Sequence, residues 1–420
     1  MAKTLSSRQS ALIIFVAMIS SKLLSLNSLI SFDMKNNAWF VFFVSFVIDF
    51  LFALIFLYFI KNIKMSMFEY IKKKFGRAFS IIISILIAIM FVFKTTEIMV
   101  DIYLFFVQLI YAEINRYIFI SCFIVILFYF GSRKLQNVGR TIELLMWLIL
   151  LSLALSLILS VKALKPNNLL PFLNLNPLTA CKSIVVHNLW FGDFWILFFF
   201  VGSIKLEQNS IKNIIWSYVI SSAVCLVFVL AFTSTFGLTA SMHRVCLIDI
   251  TEVTPRVLNQ ARFNWLVYFT FPIALVIGLG IFANCTSMCI ENCIREKLDS
   301  KNTISTMITI ASILTIGIVF QFTFTPFYQF VTKYFVYFNS IVQYVLPIFM
   351  LVLVAIKNSD KSKNMKKNDK KSIKNIKKMS VFSKNSKVSL VGGEKWREKC
   401  FTAKLWFFCS LLLFCSFLQQ

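Results

Sequence analysis

The chain has 420 residues, of which 59% are hydrophobic, and a mean hydropathy of +0.80. Forty-eight Phe against eleven Gly and seven Pro describe long apolar helices and exclude a soluble domain of this size. The net charge is +25, but about half of it lies in the run from Lys357 to Lys404, so it is not a nucleic-acid surface spread over a fold.

A membrane-spanning helix takes about 20 apolar residues, and ten such blocks can be read in order. The first covers residues 10–30 and is interrupted at Ser20-Ser21-Lys22. Three polar residues in mid-span are unusual, and a lysine there is expensive. Residues 32–37 make a short polar connection. The second span, 38–60, carries Asp49. Lys61, Lys64, Lys72, Lys73, Lys74 and Arg77 follow, and a basic short loop stays in the cytoplasm. That places the N-terminus inside as well. The third span, 80–110, is longer than one bilayer needs and carries Lys94, Glu97 and Asp101. Lys94 and Glu97 are three apart on one helix face, so a local ion pair between them is expected.

The fourth span is 117–130 and the fifth 141–161, with Arg133, Lys134 and Arg140 in the inner loop between them. Residues 166–177 form an outer loop. The sixth span opens at residue 180 and holds His187, Trp190, Phe191, Gly192 and Asp193 in the middle of an apolar run. A carboxylate near the centre of a membrane helix costs roughly 2.5–3.5 kcal/mol on insertion scales and is kept where it faces water or a partner. A glycine beside it lets the helix open and turn backbone groups toward a ligand. The plain alternative puts Asp193 at the water boundary and Gly192 in a helix contact.

The seventh span is 211–236. Residues 237–262 mix charged and apolar types and are expected to lie along the membrane surface. The eighth span, 263–287, contains Gly278, Gly280 and Ala283, which suit close helix contact. The ninth is 303–324, Pro326 belongs to the turn after it, and the tenth is 334–356. Three parts follow: a ten-helix bundle over 1–356, a basic tail over 357–400 without the apolar content to fold, and an apolar segment at 401–420. That last segment is either a surface helix or an eleventh crossing. Anionic lipid is a natural partner for the tail. No small-residue cleavage pattern follows the first apolar block, so a cleavable leader is not expected.

Ten cysteines show no CxxC pair. Cys122, Cys225, Cys409 and Cys415 lie in apolar segments and are expected to be buried thiols. Cys285, Cys289 and Cys293 share a helix face, but with two histidines in the chain the pattern is not that of a metal site. No nucleophile elbow, phosphate loop or zinc motif is present, so no enzyme, cofactor or nucleic-acid reading is carried forward.

Four stretches carry a resemblance. They are Ser6-Ser7-Arg8-Gln9 before the first span, Gly139-Arg140-Thr141-Ile142-Glu143 at the fifth, Asn168-Leu169-Leu170-Pro171 in the outer loop, and Phe191-Gly192-Asp193 in the sixth span. In order and spacing the chain resembles the B subunit of spore germinant receptors, within the amino acid–polyamine–organocation transporters, from about residue 6 to 356. The resemblance implies an all-α membrane protein with ten helices in a five-plus-five inverted repeat of the leucine-transporter type. Both ends of the bundle would be cytoplasmic, and helices one and six unwound at mid-membrane. It also implies the spore inner membrane, a small amino acid-like germinant, and membrane A and lipoprotein C subunits as partners. The ligand-binding residues would be Ser20, Ser21, Lys22, Glu97, Asp101, Phe191, Gly192 and Asp193. The chain departs from the family in two places. Ser20, Ser21 and Lys22 replace a glycine-rich break, and Asp193 stands where the family usually has Glu.

Three functions fit this reading. The first is a sensor that binds a germinant between the broken helices and signals through its partners. The second is a proton- or sodium-coupled amino acid permease, with Asp49, Glu97 or Asp101 carrying the proton. The third is a degenerate subunit that assembles and binds nothing.

Overall fold

The computed structural model describes residues 5–110, 115–170, 176–204, 209–253, 261–294, 303–321 and 323–354. The basic tail and the terminal apolar segment lie outside these residues, as does Pro171. The chain divides into two units, Met1–Pro347 and Ile348–Gln420. Of the second, residues 348–354 are described, and they are helical as far as they are seen. Everything below concerns the first unit.

Among the described residues, six stretches are long and apolar enough to cross a membrane, and one bent helix pair makes a seventh. Three shorter apolar helices complete ten spans. The first span is split into α1 (Ser7–Ser20) and α2 (Leu26–Met34). α3 (Ala38–Asn62) is the second, α5 (Arg77–Ile110) the third, α6 (Arg116–Ser132) the fourth and α7 (Leu135–Ser160) the fifth, with α4 (Met67–Phe75) between α3 and α5. The sixth is split into α8 (Pro177–Val186) and α9 (Ile196–Phe200). α10 (Ser210–Phe236) is the seventh, α12 (Ala261–Ile294) the eighth and α13 (Thr303–Val319) the ninth, and α11 (Cys246–Glu252) lies between α10 and α12. The last span runs from α14 (Phe324–Phe330) through two π-helical turns that flank α15 (Val336–Ser340).

With no water in the hydrocarbon, backbone groups must bond within each segment, which is why apolar composition yields helices here. Packing then inverts the soluble pattern. On α7, Ser152, Ser156 and Ser160 are buried at four-residue spacing while Leu144 and Trp147 are exposed. Small polar groups let helices approach, and large apolar groups meet lipid. α12 is the central helix. Its Asn284 donates to the backbone oxygens of Phe130 and Arg133, both at 2.7 Å. Its Asn292 donates to Ser84 of α5 at 2.7 Å. Gly278 packs on Ser20, and Gly280 packs on the ring of Phe130. These are the close contacts expected of the glycine pair.

Several boundaries differ from expectation. α7 begins at Leu135, so Arg140–Glu143 sits in its second turn rather than at its start. The ninth span ends at Val319 and the last begins at Phe324, earlier than residue 334. Pro326 is in the first turn of that helix rather than in the turn before it, where its missing N–H costs nothing. α11 does not lie along a surface. Its Leu247, Ile248, Ile250 and Thr251 are buried, and the Cys246 N–H donates to the backbone oxygen of Leu24 at 3.2 Å. Its charged neighbours hid an apolar core. Cys122 is exposed rather than buried, because it falls on the outward face of α6, while Cys225 is buried as expected. Cys409 and Cys415 lie outside the described residues.

Gly280→Leu is expected to force the Phe130 ring aside. Overpacking of this kind costs about 1–3 kcal/mol. A lowered unfolding midpoint of the detergent-solubilised chain, with the exposed Leu144→Ala as an unaffected control, would show it.

Candidate functional site

Both breaks occur where the sequence places them. α1 stops at Ser20, and helix resumes at Leu26. The backbone of the first break needs no glycine: Ser21 has φ −92°. Instead, the polar side chains take over the carbonyls that helix would have satisfied. Ser20 Oγ donates to Ala17 O at 3.1 Å, and Lys22 Nζ reaches Met18 O at 3.3 Å. Serine and lysine hold this break open by supplying donors, where glycine would do so by conformational freedom.

The sixth span bends by 54° between α8 and the segment that follows it. Phe191 is extended and Gly192 is left-handed at φ +84°, a conformation that favours glycine. A Cβ on Gly192 would also strike the Gln343 amide at 2.7 Å. The left-handed backbone calls for glycine here, so its role goes beyond easing helix packing. The Gly192 N–H donates to Asp49 Oδ2 at 2.8 Å. Lys94 Nζ caps the freed carbonyls, at 2.7 Å from Phe191 O and 3.3 Å from Trp190 O.

The two breaks face one another through charge. Asp193 is fully buried and forms ion pairs with Lys22 and with Lys94, the latter at 2.6 Å. Ser21 Oγ reaches Trp190 O at 3.5 Å. Lys22 lies over the faces of Phe191 and Phe46, and Lys94 over Phe282. A buried carboxylate flanked by two ammonium groups, with a second carboxylate on the adjoining N–H, balances charge within the site. That balance is what makes these ions tolerable in the bilayer. The partner of Lys94 is Asp193 rather than Glu97, which corrects the local ion pair expected on α5. The tertiary partner wins because it sits between two cations and beside carbonyls that need the same donor.

Glu97 and Asp101 lie one and two turns further along α5, and both are buried. Ser25, at the far end of the first break, donates to Asp101 Oδ2 at 2.9 Å. No donor among the described residues reaches either oxygen of Glu97. The structure thus gathers Ser20, Ser21, Lys22, Phe191, Gly192 and Asp193 directly. It sets Glu97 and Asp101 beside them as a separate acidic pair.

Sequence reasoning placed a tenth span but missed the part it plays at the site. Asn339 donates to Asn188 Oδ1 at 2.7 Å and to Gln343 Oε1 at 3.0 Å, and Asn188 donates to Ser340 at 2.6 Å. This amide chain seats the last span against the sixth-helix break. The only sequence signal was a row of polar residues, Asn339, Ser340 and Gln343, in an apolar span; their aim depends on the π-helical turns. His187 closes the other side. It is bound to Ser183 O at 2.9 Å and to the Tyr328 hydroxyl at 3.1 Å.

The other motifs are tethers. Ser6 and Gln9 form a reciprocal capping box at the start of α1. Gln9 then donates to Glu143 at 3.2 Å, and Gly139 packs on Gln9. Asn168 donates to Ser234 O at 2.9 Å.

A family model described as spore germination protein matches residues 4–328. The chain belongs to that family. No curated protein matches it. Among solved structures, a histidine-to-alanine mutant of the Eremococcus coleocola manganese transporter is similar at a TM-score of 0.54 and 12% identity. The alignment covers 98% of this chain and 92% of that one. Two glutamate mutants of the same transporter align with TM-scores of 0.47 at 10% identity. At this identity the first likeness speaks to fold alone, and the fold is that of the ten-helix, five-plus-five inverted-repeat transporters. This spore germination protein is a multi-pass membrane protein of the permease type.

Asp193→Asn removes the counter-charge of two buried ammonium groups. Breaking a buried pair in this way costs about 3–5 kcal/mol. In a thermal-unfolding cycle with Lys22→Met, the two substitutions are expected to couple by more than ~1 kcal/mol. Additive effects would mean the two side chains do not interact.

Proposed function

We propose that this protein is the membrane subunit of a spore germinant receptor and senses a small amino acid-like solute between helices one and six. The observation that carries the reading is the meeting of the two breaks around Asp193, held by Lys22 and Lys94. In the closed arrangement the protein supplies both charges itself. A solute that opens it has to replace both, because a buried ion left alone is costly. A zwitterion does so: its carboxylate takes the lysine ammonium groups and its ammonium takes Asp193. A singly charged solute leaves one partner stranded. Phe191, Gly192 and Ser21 shape the chamber, and Glu97 and Asp101 bias the amine toward the α5 side.

Binding shifts the bundle only as far as the solute prefers the opened state. The A and C subunits of the receptor would read that shift. A coupled permease is the second reading, favoured by buried Glu97, neither of whose oxygens meets a donor among the described residues, with Asp101 one turn away.

Two experiments separate these. Vesicles holding this chain alone are expected to bind labelled amino acid without accumulating it; steady accumulation makes it a permease. In spores, Asp193→Asn and Lys22→Gly are each expected to abolish or strongly shift the germinant response. An unchanged response from both would leave a subunit that only assembles.

A further inference from the structure

The connection from α3 to α5 is not a plain loop. It folds as α4, capped by Ser66, whose hydroxyl accepts from the Glu69 N–H at 3.3 Å. The apolar face of α4 is used inside the protein: Met67, Phe68, Tyr70 and Ile71 are buried. Phe68 packs edge-on against Phe198 and Phe199 of α9, with centroids 4.9 and 5.9 Å apart. Just past α9, Gly202 at φ +75° lies so close to the backbone of Met65 and Ser66 that any side chain there would collide with it. Phe56 of α3 joins the same cluster, touching Phe194 and Phe198.

α9 begins three residues after Asp193 with no loop between them, only one 3₁₀ turn. A shift of Asp193 is therefore a shift of α9, and α4 is packed on α9 through rings and backbone. The outer face of the same connection exposes Lys61, Lys64 and Lys73, with Glu69 the one carboxylate on α4. The basic last turn also suits the negative end of the helix.

We propose that the connection containing α4 reads anionic phospholipid headgroups through Lys61 at the end of α3, Lys64 before α4 and Lys73 on α4, and that α4 passes their presence to α9. Three observations favour lipid. The connection joins the ends of two consecutive spans, so it sits where headgroups are. Its exposed charge is positive, which complements an anionic leaflet. Its apolar face is already covered by protein, so it meets the membrane through charge alone rather than by insertion. The coupling needs only the packing of α4 on α9. It would hold in a chain that binds no solute, so it stands or falls apart from the germinant reading.

The test is hydrogen exchange on the full chain in nanodiscs of phosphatidylcholine, with and without phosphatidylglycerol. Anionic lipid is expected to slow exchange over residues 67–75 and also over 196–201. Lys61→Gln/Lys64→Gln/Lys73→Gln, all at exposed positions, is expected to lose both effects, as is high salt. Slowing that persists in the triple variant overturns the lysine site. Slowing confined to 67–75 overturns the link to α9. Slowing caused by soluble polyglutamate in neutral nanodiscs, but not by phosphatidylglycerol, overturns the lipid assignment in favour of an acidic protein.

Discussion

A carboxylate cut off from water has to find its counter-charge inside the protein, and Asp193 finds two. Lys22 comes from the first broken helix and Lys94 from the continuous third span, so one side chain ties three helices where the first and sixth are interrupted. The lysines do double duty. Lys94 also caps Phe191 and Trp190, and Lys22 also caps Met18, so the donors that neutralise the acid are those that make unwound backbone tolerable. Removing either lysine would strip both a counter-charge from Asp193 and a donor from the unwound carbonyls.

The two breaks reach the same end by different means. The sixth helix uses glycine because one residue must be left-handed. The first helix turns with ordinary backbone angles, so it is free to carry Ser20, Ser21 and Lys22 as donors. The departure from a glycine-rich break is thus a different solution to the same backbone problem. It places a cation, Lys22, beside Asp193 at the break itself.

Much of the site was legible in the chain because membrane composition makes polar residues conspicuous. Ser20-Ser21-Lys22 and Gly192-Asp193 stood out against apolar background, and both mark true interruptions. The motifs at Ser6–Gln9 and Gly139–Glu143 could be noticed, but not their meeting through Gln9 and Glu143, which joins residues 134 positions apart. The pairing of Lys94 was misread because helical spacing proposes a neighbour three residues away and is silent about a carboxylate on another helix. The same silence hid Asn339 and Gln343, whose direction depends on π-helical turns that no periodicity announces.

What the sequence determined by itself was the class, the ten spans of the bundle and the places where helix must fail. All three follow from local chemistry: hydrocarbon demands apolar helices, and polar interruptions in them are too costly to be incidental. Tertiary structure decided which charge answers which, that α11 is buried, that the last span seats on the sixth-helix break, and that α4 grips α9. Those are contacts between segments far apart in the chain. They depend on how curved and broken helices are laid beside one another, and no run of neighbouring residues records it.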